Sequence, residues 1–330
     1  MKAVIIGLGS MGRRRVRILR QYYKDVDIIG IDTLADRRKQ AKEEFGIATV
    51  SSSEELFYDG DIGDVAAFIC TSPLTHSDTI AECLRKGFHV FTEINLVSNG
   101  YDKNMELARR NGGVLFLSST FLYRKEIQYI HEIVRKSNSV LQYIYHAGQY
   151  LPDWHPWENY KDFFVGNKAT NGCREFMAIE FPWIFEVFGD IQDVQVISSK
   201  NSSLDIEYPD TYQIFFIHQG GHHGSIVIDL VSRKPVRNLE IVGEDLYLSW
   251  DGTPTGLFLY DYKTKENRNI LLYKDINKHS DYNPSVIENA YLSEIENFFA
   301  VIEGKEDAKY SFERDRYILS IIDKIEGIRR

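Results

Sequence analysis

Three glycines and one carboxylate carry the clearest chemistry in this 330-residue sequence. Gly7, Gly9 and Gly12 stand in IIGLGSMGRRRVRIL, a G-x-G-x-x-G pattern between an apolar run and a segment with helical spacing. The first glycine permits a tight turn, the second lets the backbone approach a pyrophosphate, and the third lets helix and strand pack closely. Ser10 and Met11 open the helix, whose free N–H groups and positive dipole end would face the anion. Asp32 ends the next apolar run, twenty positions beyond Gly12 (32 − 12), where a carboxylate accepts the hydroxyls of an adenosine ribose. The pattern predicts a bound dinucleotide. The charge of Asp32 repels a 2′-phosphate, so NAD is favoured, and NADP is the lesser alternative that nearby Arg37 and Arg38 keep open. As plain helix residues, those two arginines would form a solvated face.

Such a turn needs a strand before it and a helix behind it, and the first third of the chain repeats that unit. KAVIIG, DVDIIGID, DVAAFICT, HVFTE and GVLFLS are short apolar runs without period-two alternation, as in strands buried on both faces. Met11 to Tyr23, Ala35 to Phe45, Thr75 to Lys86 and Tyr101 to Asn111 have helical spacing, with Gly46, Gly87 and Gly112 placed as C-caps. Residues 1–120 are therefore expected to form an α/β dinucleotide-binding domain with a doubly wound parallel sheet. Residues 121–330 read differently, as an α+β domain for substrate binding and oligomerisation. Helices at Glu126 to Lys136 and Gly172 to Phe188 precede alternating runs between Val194 and Tyr273, the mark of a large, mainly antiparallel sheet. Helices at Ser285 to Ile302 and Phe312 to Ile328 close the chain.

Composition agrees with two domains, since 330 residues at 43% hydrophobic content exceed one comfortable core. The net charge of −9 and the scattered basic residues argue against a nucleic-acid partner. Cys70, Cys83 and Cys173 form no C-x-x-C pair, which points to buried thiols of a cytoplasmic protein rather than to disulfides or zinc. No metal site is expected: His222 and His223 are adjacent and on a strand would point to opposite faces. The first strand begins at Lys2, leaving no room for a signal peptide, and no apolar run approaches the ~20 residues of a membrane span.

GLGSMGRRRVR, ICTSPLTHSDTIAECLRKGFHVFTE and NLEIVGEDLYLSWDG resemble the Gfo/Idh/MocA family of glucose–fructose oxidoreductases and inositol dehydrogenases, over nearly the whole chain. The resemblance implies an N-terminal Rossmann domain, a second domain whose open sheet mediates a homodimer or homotetramer, and a sugar-type substrate above the nicotinamide. It also implies a cofactor loop of Thr71, Ser72, Pro73 and His76, with Glu93 near the nicotinamide ribose. The family's strand end reads Glu-Lys-Pro, the lysine assisting proton transfer, whereas here Glu93 is followed by Ile94 and Asn95. The family's helical His, with an Asp three residues later, falls on Ile179 and Pro182. None of these replacements carries a useful proton.

If the chain is catalytic, the proton must move through other groups. His155, Tyr160 and Lys161 in YLPDWHPWENYKDFF are chemically able, as is Glu180 on the following helix, with Asp153 and Glu175 as alternatives. Asn95, Trp154 and Arg174 are expected to hold the substrate, Arg174 through a carboxylate or phosphate. The competing account is an aromatic loop packed for structure, followed by ordinary charged helix residues. Three functions follow: an NAD-dependent dehydrogenase of a sugar or sugar derivative, nucleotide-linked or acidic; an epimerase or eliminase that returns the hydride; or a dinucleotide-binding scaffold without turnover.

Overall fold

The computed structural model describes residues 1–56, 65–155, 158–278 and 286–328. Trp157 and Ser285, at which the sequence suggested a packing aromatic and a helix start, lie outside these residues. The chain divides into two compact units: Met1–Ser119 with Tyr291–Arg316, and Thr120–Ala290 with Tyr317–Arg330.

In the first unit, β1 (Lys2–Ile6), β2 (Asp27–Ile31), β3 (Ala48–Val50), β4 (Val65–Ile69), β5 (His89–Thr92) and β6 (Leu115–Leu117) form one sheet in the order β3-β2-β1-β4-β5-β6. Every pairing is parallel. The helices between them are α1 (Ser10–Tyr22), α2 (Ala35–Phe45), α3 (His76–Arg85) and α4 (Tyr101–Asn111). Ala3, Val4, Ile5, Ala66, Ala67, Phe68, Val90 and Phe91 are fully buried, which explains strands without alternation. Gly46 and Gly112 end α2 and α4 in the left-handed region.

The division at residue 120 needs one correction. Residues 291–316 belong to the first unit rather than to the second. Phe298 packs edge-on against Phe68 at 5.5 Å and against Phe91 at 5.5 Å, and Phe91 stacks on Phe116 at 5.2 Å. This segment, carrying part of α7 (Glu288–Ile302), thereby completes a core begun at the other end of the chain.

In the second unit, α5 (Lys125–Lys136) and α6 (Gly172–Phe188) accompany an eight-stranded sheet. Its strands are β7 (Gln142–Gly148), β8 (Ile191–Ser199), β9 (Thr211–His218), β10 (His223–Asp229), β11 (Val236–Val242), β12 (Tyr247–Trp250), β13 (Leu257–Asp261) and β14 (Glu266–Asn269). The order is β14-β13-β12-β11-β7-β10-β9-β8, antiparallel except where β10 runs parallel to β7. Alternation is clear on β9, where Tyr212, Ile214 and Phe216 are buried and Gln213 and Phe215 exposed. The helix α8 (Phe312–Ile325) follows, shorter than the expected Phe312 to Ile328.

Candidate functional site

The turn from β1 to α1 has the geometry that its glycines require. Gly7 sits at φ +94°, and a Cβ there would lie 2.7 Å from the Cys70 carbonyl oxygen. A Cβ on Gly12 would lie 1.8 Å from the Gly7 carbonyl oxygen, so helix and turn meet at a distance only glycine allows. At Gly9, by contrast, a Cβ would meet only the Arg37 guanidinium, at 3.7 Å. Gly9 is therefore free of fold constraints that the other two carry, and it caps α1 without a side-chain bond to the first-turn N–H groups.

Asp32 is 7% exposed, and the loops around it fix both of its oxygens. The Leu8 N–H donates to Oδ2 at 2.8 Å and the Leu34 N–H to Oδ1 at 2.9 Å. Arg37 comes within 3.8 Å of Oδ2, and Arg38 donates to the carbonyls of Asp32 and Thr33 at 2.7 and 2.9 Å. Arg38 is thus spent on the backbone of the β2 end, and Arg37 is the arginine that faces the carboxylate.

Behind the loop at Thr71, Ser72 and Pro73, His76 is 2% exposed and acts as a staple rather than as a surface for cofactor. Its Nε2 lies 3.0 Å from the Thr71 carbonyl and its Nδ1 2.8 Å from Asn95 Oδ1. Burial pulls the His76 pKa below its ordinary value, against hydrogen bonds to Asn95 and Thr71 that raise it, so the ring carries one proton. With Nε2–H donating to Thr71, Nδ1 is an acceptor. A half-turn of the Asn95 amide, which exchanges Oδ1 and Nδ2 without changing shape, supplies its donor and employs an Nδ2 that otherwise has no partner among the described residues. Asn95, expected at the substrate, is 3% exposed and serves this staple.

Glu93 is 8% exposed and gripped by Arg15 through two bonds, Nε to Oε1 at 2.7 Å and Nη2 to Oε2 at 3.2 Å. The same Nη2 donates to Glu294 Oε2 at 2.8 Å, while Glu294 Oε1 accepts from Ser118 Oγ at 2.9 Å and from the Ser119 N–H at 2.8 Å. Burial opposes the Arg15 charge, but Glu93 and Glu294 outweigh it and push the guanidinium pKa up. Burial raises the Glu294 carboxyl despite the attraction of Arg15. The sequence reading missed Arg15 and Glu294. The available signal was the place of Arg15 three residues after Gly12 and four before Leu19, on the inward stripe of α1.

The candidates of the second unit do not converge on one group. Glu180 is fully buried and accepts from Tyr145 Oη at 2.6 Å, Trp183 Nε1 at 2.8 Å and Arg237 Nε at 2.8 Å, so its lone pairs are committed to structure. Arg174 is also fully buried, donating to Asp323 at 2.7 Å and paired with Glu326. The expectation that it meets a substrate anion is corrected: its charge is used inside the unit. His155 stacks on Phe163 at 4.6 Å with Nδ1 2.5 Å from Glu158 Oε1. Tyr160 accepts from the Asp205 N–H at 3.1 Å, and Lys161 pairs with the Asp205 carboxylate. Trp154 is half-buried against the edge of Phe176 at 5.1 Å, donating to the Gln149 carbonyl at 3.3 Å. Ile179 is half-buried and Pro182 buried within α6, so apolar surface stands at both of these positions.

Residues 1–118 match the model of an oxidoreductase family with an NAD-binding Rossmann fold, Gfo/Idh/MocA. A curated relative, myo-inositol 2-dehydrogenase of Thermotoga maritima, is 26% identical over 137 residues, which span 41% of this chain and 40% of that protein. Among solved structures, UDP-N-acetylglucosamine 3-dehydrogenase of Acidithiobacillus ferrooxidans superposes with a TM-score of 0.75 at 17% identity, over 99% of this chain and 97% of that one. Biliverdin reductase of Synechocystis, solved with biliverdin and NADP+, gives 0.72 at 16% identity over 99% and 98%. These two likenesses establish the fold.

Proposed function

We propose, from the match of residues 1–118 to the Gfo/Idh/MocA oxidoreductase family, that this chain is an NAD-dependent dehydrogenase acting on a carbinol of a sugar or sugar derivative. The observation that carries this reading is the glycine cradle ending on Asp32, a carboxylate whose two oxygens are aimed by backbone N–H groups of the loops on either side. The cradle fits a dinucleotide: where a side chain on Gly9 would stand there is only the flexible tip of Arg37, and the first turn of α1 has no side-chain cap. When bound, the nicotinamide supplies the hydride acceptor or donor. The chain's own part is to orient and exclude: Asp32 accepts ribose hydroxyls, Glu93 is locked by Arg15, and the Thr71 to Pro73 loop is braced by His76.

Asp32 also favours NADH over NADPH, with Arg37 partly offsetting its repulsion of a 2′-phosphate. Titration calorimetry should show tighter NADH binding, and Asp32→Ala should narrow the gap. Equal or stronger NADPH binding by the unmodified protein would count against the assignment.

A second reading, a dinucleotide-binding scaffold, is favoured by Ile94, Ile179 and Pro182, which place no ionisable group at three positions expected to work on the proton. It gains if NADH binds and no sugar of a broad panel is turned over.

A further inference from the structure

A cavity of about 50 Å³ lies inside the first unit, between the start of α3, the start of α4 and the segment that carries Asn95. Two buried amides line it, Asn95 at 3% exposure and Asn104 fully buried. Each has one atom committed to the protein and one left over. Asn104 Nδ2 donates to the Ser77 carbonyl at 3.0 Å, which fixes its Oδ1 as the outer atom, and that oxygen has no partner among the described residues. In Asn95, the half-turn that gives His76 Nδ1 its donor leaves Oδ1 in the place of the unpaired Nδ2. Tyr101 stands beside it but spends its hydroxyl proton on Asp315. The cavity is thus edged by two amide oxygens without donors, an arrangement that is costly in a protein interior. None of the side chains that line it is a carboxylate, an ammonium or a guanidinium, so a guest would be neutral. A water needs about 10–15 Å³ of such space, which leaves room for one to be seated between the two oxygens.

We propose that this cavity binds a small neutral molecule that donates two hydrogen bonds, an ordered water, and that Asn104 acts through it as a positioning residue for the cofactor loop. The second half of the proposal rests on the dehydrogenase reading. The water donates one O–H to Asn104 Oδ1 and the other to Asn95 Oδ1. Asn95 Nδ2 is then held toward His76 Nδ1, and His76 Nε2–H toward the Thr71 carbonyl, across 2.8 and 3.0 Å. Thr71 lies just past the end of β4, at the carboxyl edge of the parallel sheet, where open α/β sheets take their ligands. One line of hydrogen bonds therefore ties α4 to the loop, and the guest is its middle link.

The test begins on the unmodified protein. A high-resolution crystal structure should show an ordered water about 2.8 Å from both amide oxygens, and the ¹⁵N shifts of His76 should report a proton on Nε2 and none on Nδ1. No ordered density in the cavity would overturn the proposal, and so would a proton on Nδ1, which turns the Asn95 nitrogen to the cavity. Asn104→Leu keeps the size of the side chain and removes the acceptor. Amide exchange at Ser72 and Thr75 should then quicken about fivefold and the NADH dissociation constant rise about fivefold, the worth of one hydrogen bond, while the amides of β1 keep their wild-type rates. Lys103→Gln, exposed on α4, should change none of these. A structural role alone would quicken β1 along with the loop, and unchanged loop exchange in Asn104→Leu would refute the positioning. Asn104→Ser, whose hydroxyl with one added water can rebuild the link, should recover most of the loop protection and of the affinity. If it falls as far as Asn104→Leu, the bridge does not position the loop. Failure of the underlying reading looks different: wild type would not bind NADH in calorimetry, although the water and the loop protection were in place.

Discussion

Arg15 shows how much a single side chain can decide here. It is fully buried, lies 4.4 Å over the Phe91 ring, and is the counterion of two buried carboxylates, Glu93 and Glu294. Removing one partner from such a cluster costs far more than the cluster itself contributes, because charges are left without compensation. Arg15→Ala should lose about 3–5 kcal/mol of stability in urea denaturation, and a loss below about 1 kcal/mol would mean that water or a shifted side chain replaces the guanidinium. Glu175 has the opposite sign. Its folded pKa of about 8 stands above the ordinary 4.5, so its stabilising effect is complete below 4.5 and is lost as the pH rises through 8. Glu175→Gln should therefore match wild type near pH 4.5 and become the more stable protein toward pH 8.5, read as a growing difference in urea midpoint. Gly7, Gly9, Gly12 and Asp32 could be read from the sequence because the turn's demands are local. The Arg15 cluster could not, since Arg15 meets Glu93 across 78 positions and Glu294 across 279.

At the scale of elements, periodicity served where an element has one consistent environment. The segments Ala35–Phe45, Tyr101–Asn111 and Gly172–Phe188 are helices with the boundaries that the sequence suggests, the last continuing past Pro182. Three strands went unread. The residues of β7 alternate properly but stand before α6, away from the other strands of their sheet, while β3 is three residues long and β14 reads ENRN with no apolar residue. Edge strands pair on one side only and need little hydrophobic signal. The β1 to α1 turn makes a separable prediction. In Gly9→Ala the added methyl meets only a flexible arginine tip, so the melting temperature should hold while NADH affinity falls at least about tenfold. In Gly12→Ala it collides with the Gly7 carbonyl, so stability and affinity should fall together. Thermal melts paired with calorimetry separate the two, and a Gly12→Ala protein that melts like wild type would refute the packing argument.

Over the whole molecule, the two-unit plan was legible from the change in pattern after Ser118, but the return of residues 291–316 to the first unit was not, because their partners lie some two hundred positions earlier. The mainly antiparallel sheet leaves a different question. Its face away from the buried Tyr143, Tyr145, Ile214 and Phe216 exposes Ile144 at 57%, Ile197 at 63%, Phe215 at 48% and Val242 at 43%. These residues come from β7, β8, β9 and β11, four strands of one sheet, so the apolar surface spans the sheet rather than one isolated side chain. A chain of net charge −9 would not keep such a face in water at no cost, and a second copy offers the same strands by two-fold symmetry. We expect a homodimer or homotetramer formed through this sheet. Light scattering at micromolar concentration should report at least twice the 38.2 kDa chain mass, and the pair Ile144→Lys with Phe215→Glu should return the mass of one chain without loss of NADH binding. The paired change places two charges on the face and none in either core, so a variant that unfolds instead would show that these side chains support the sheet itself. A wild-type chain that runs as a monomer would remove the assembly argument altogether.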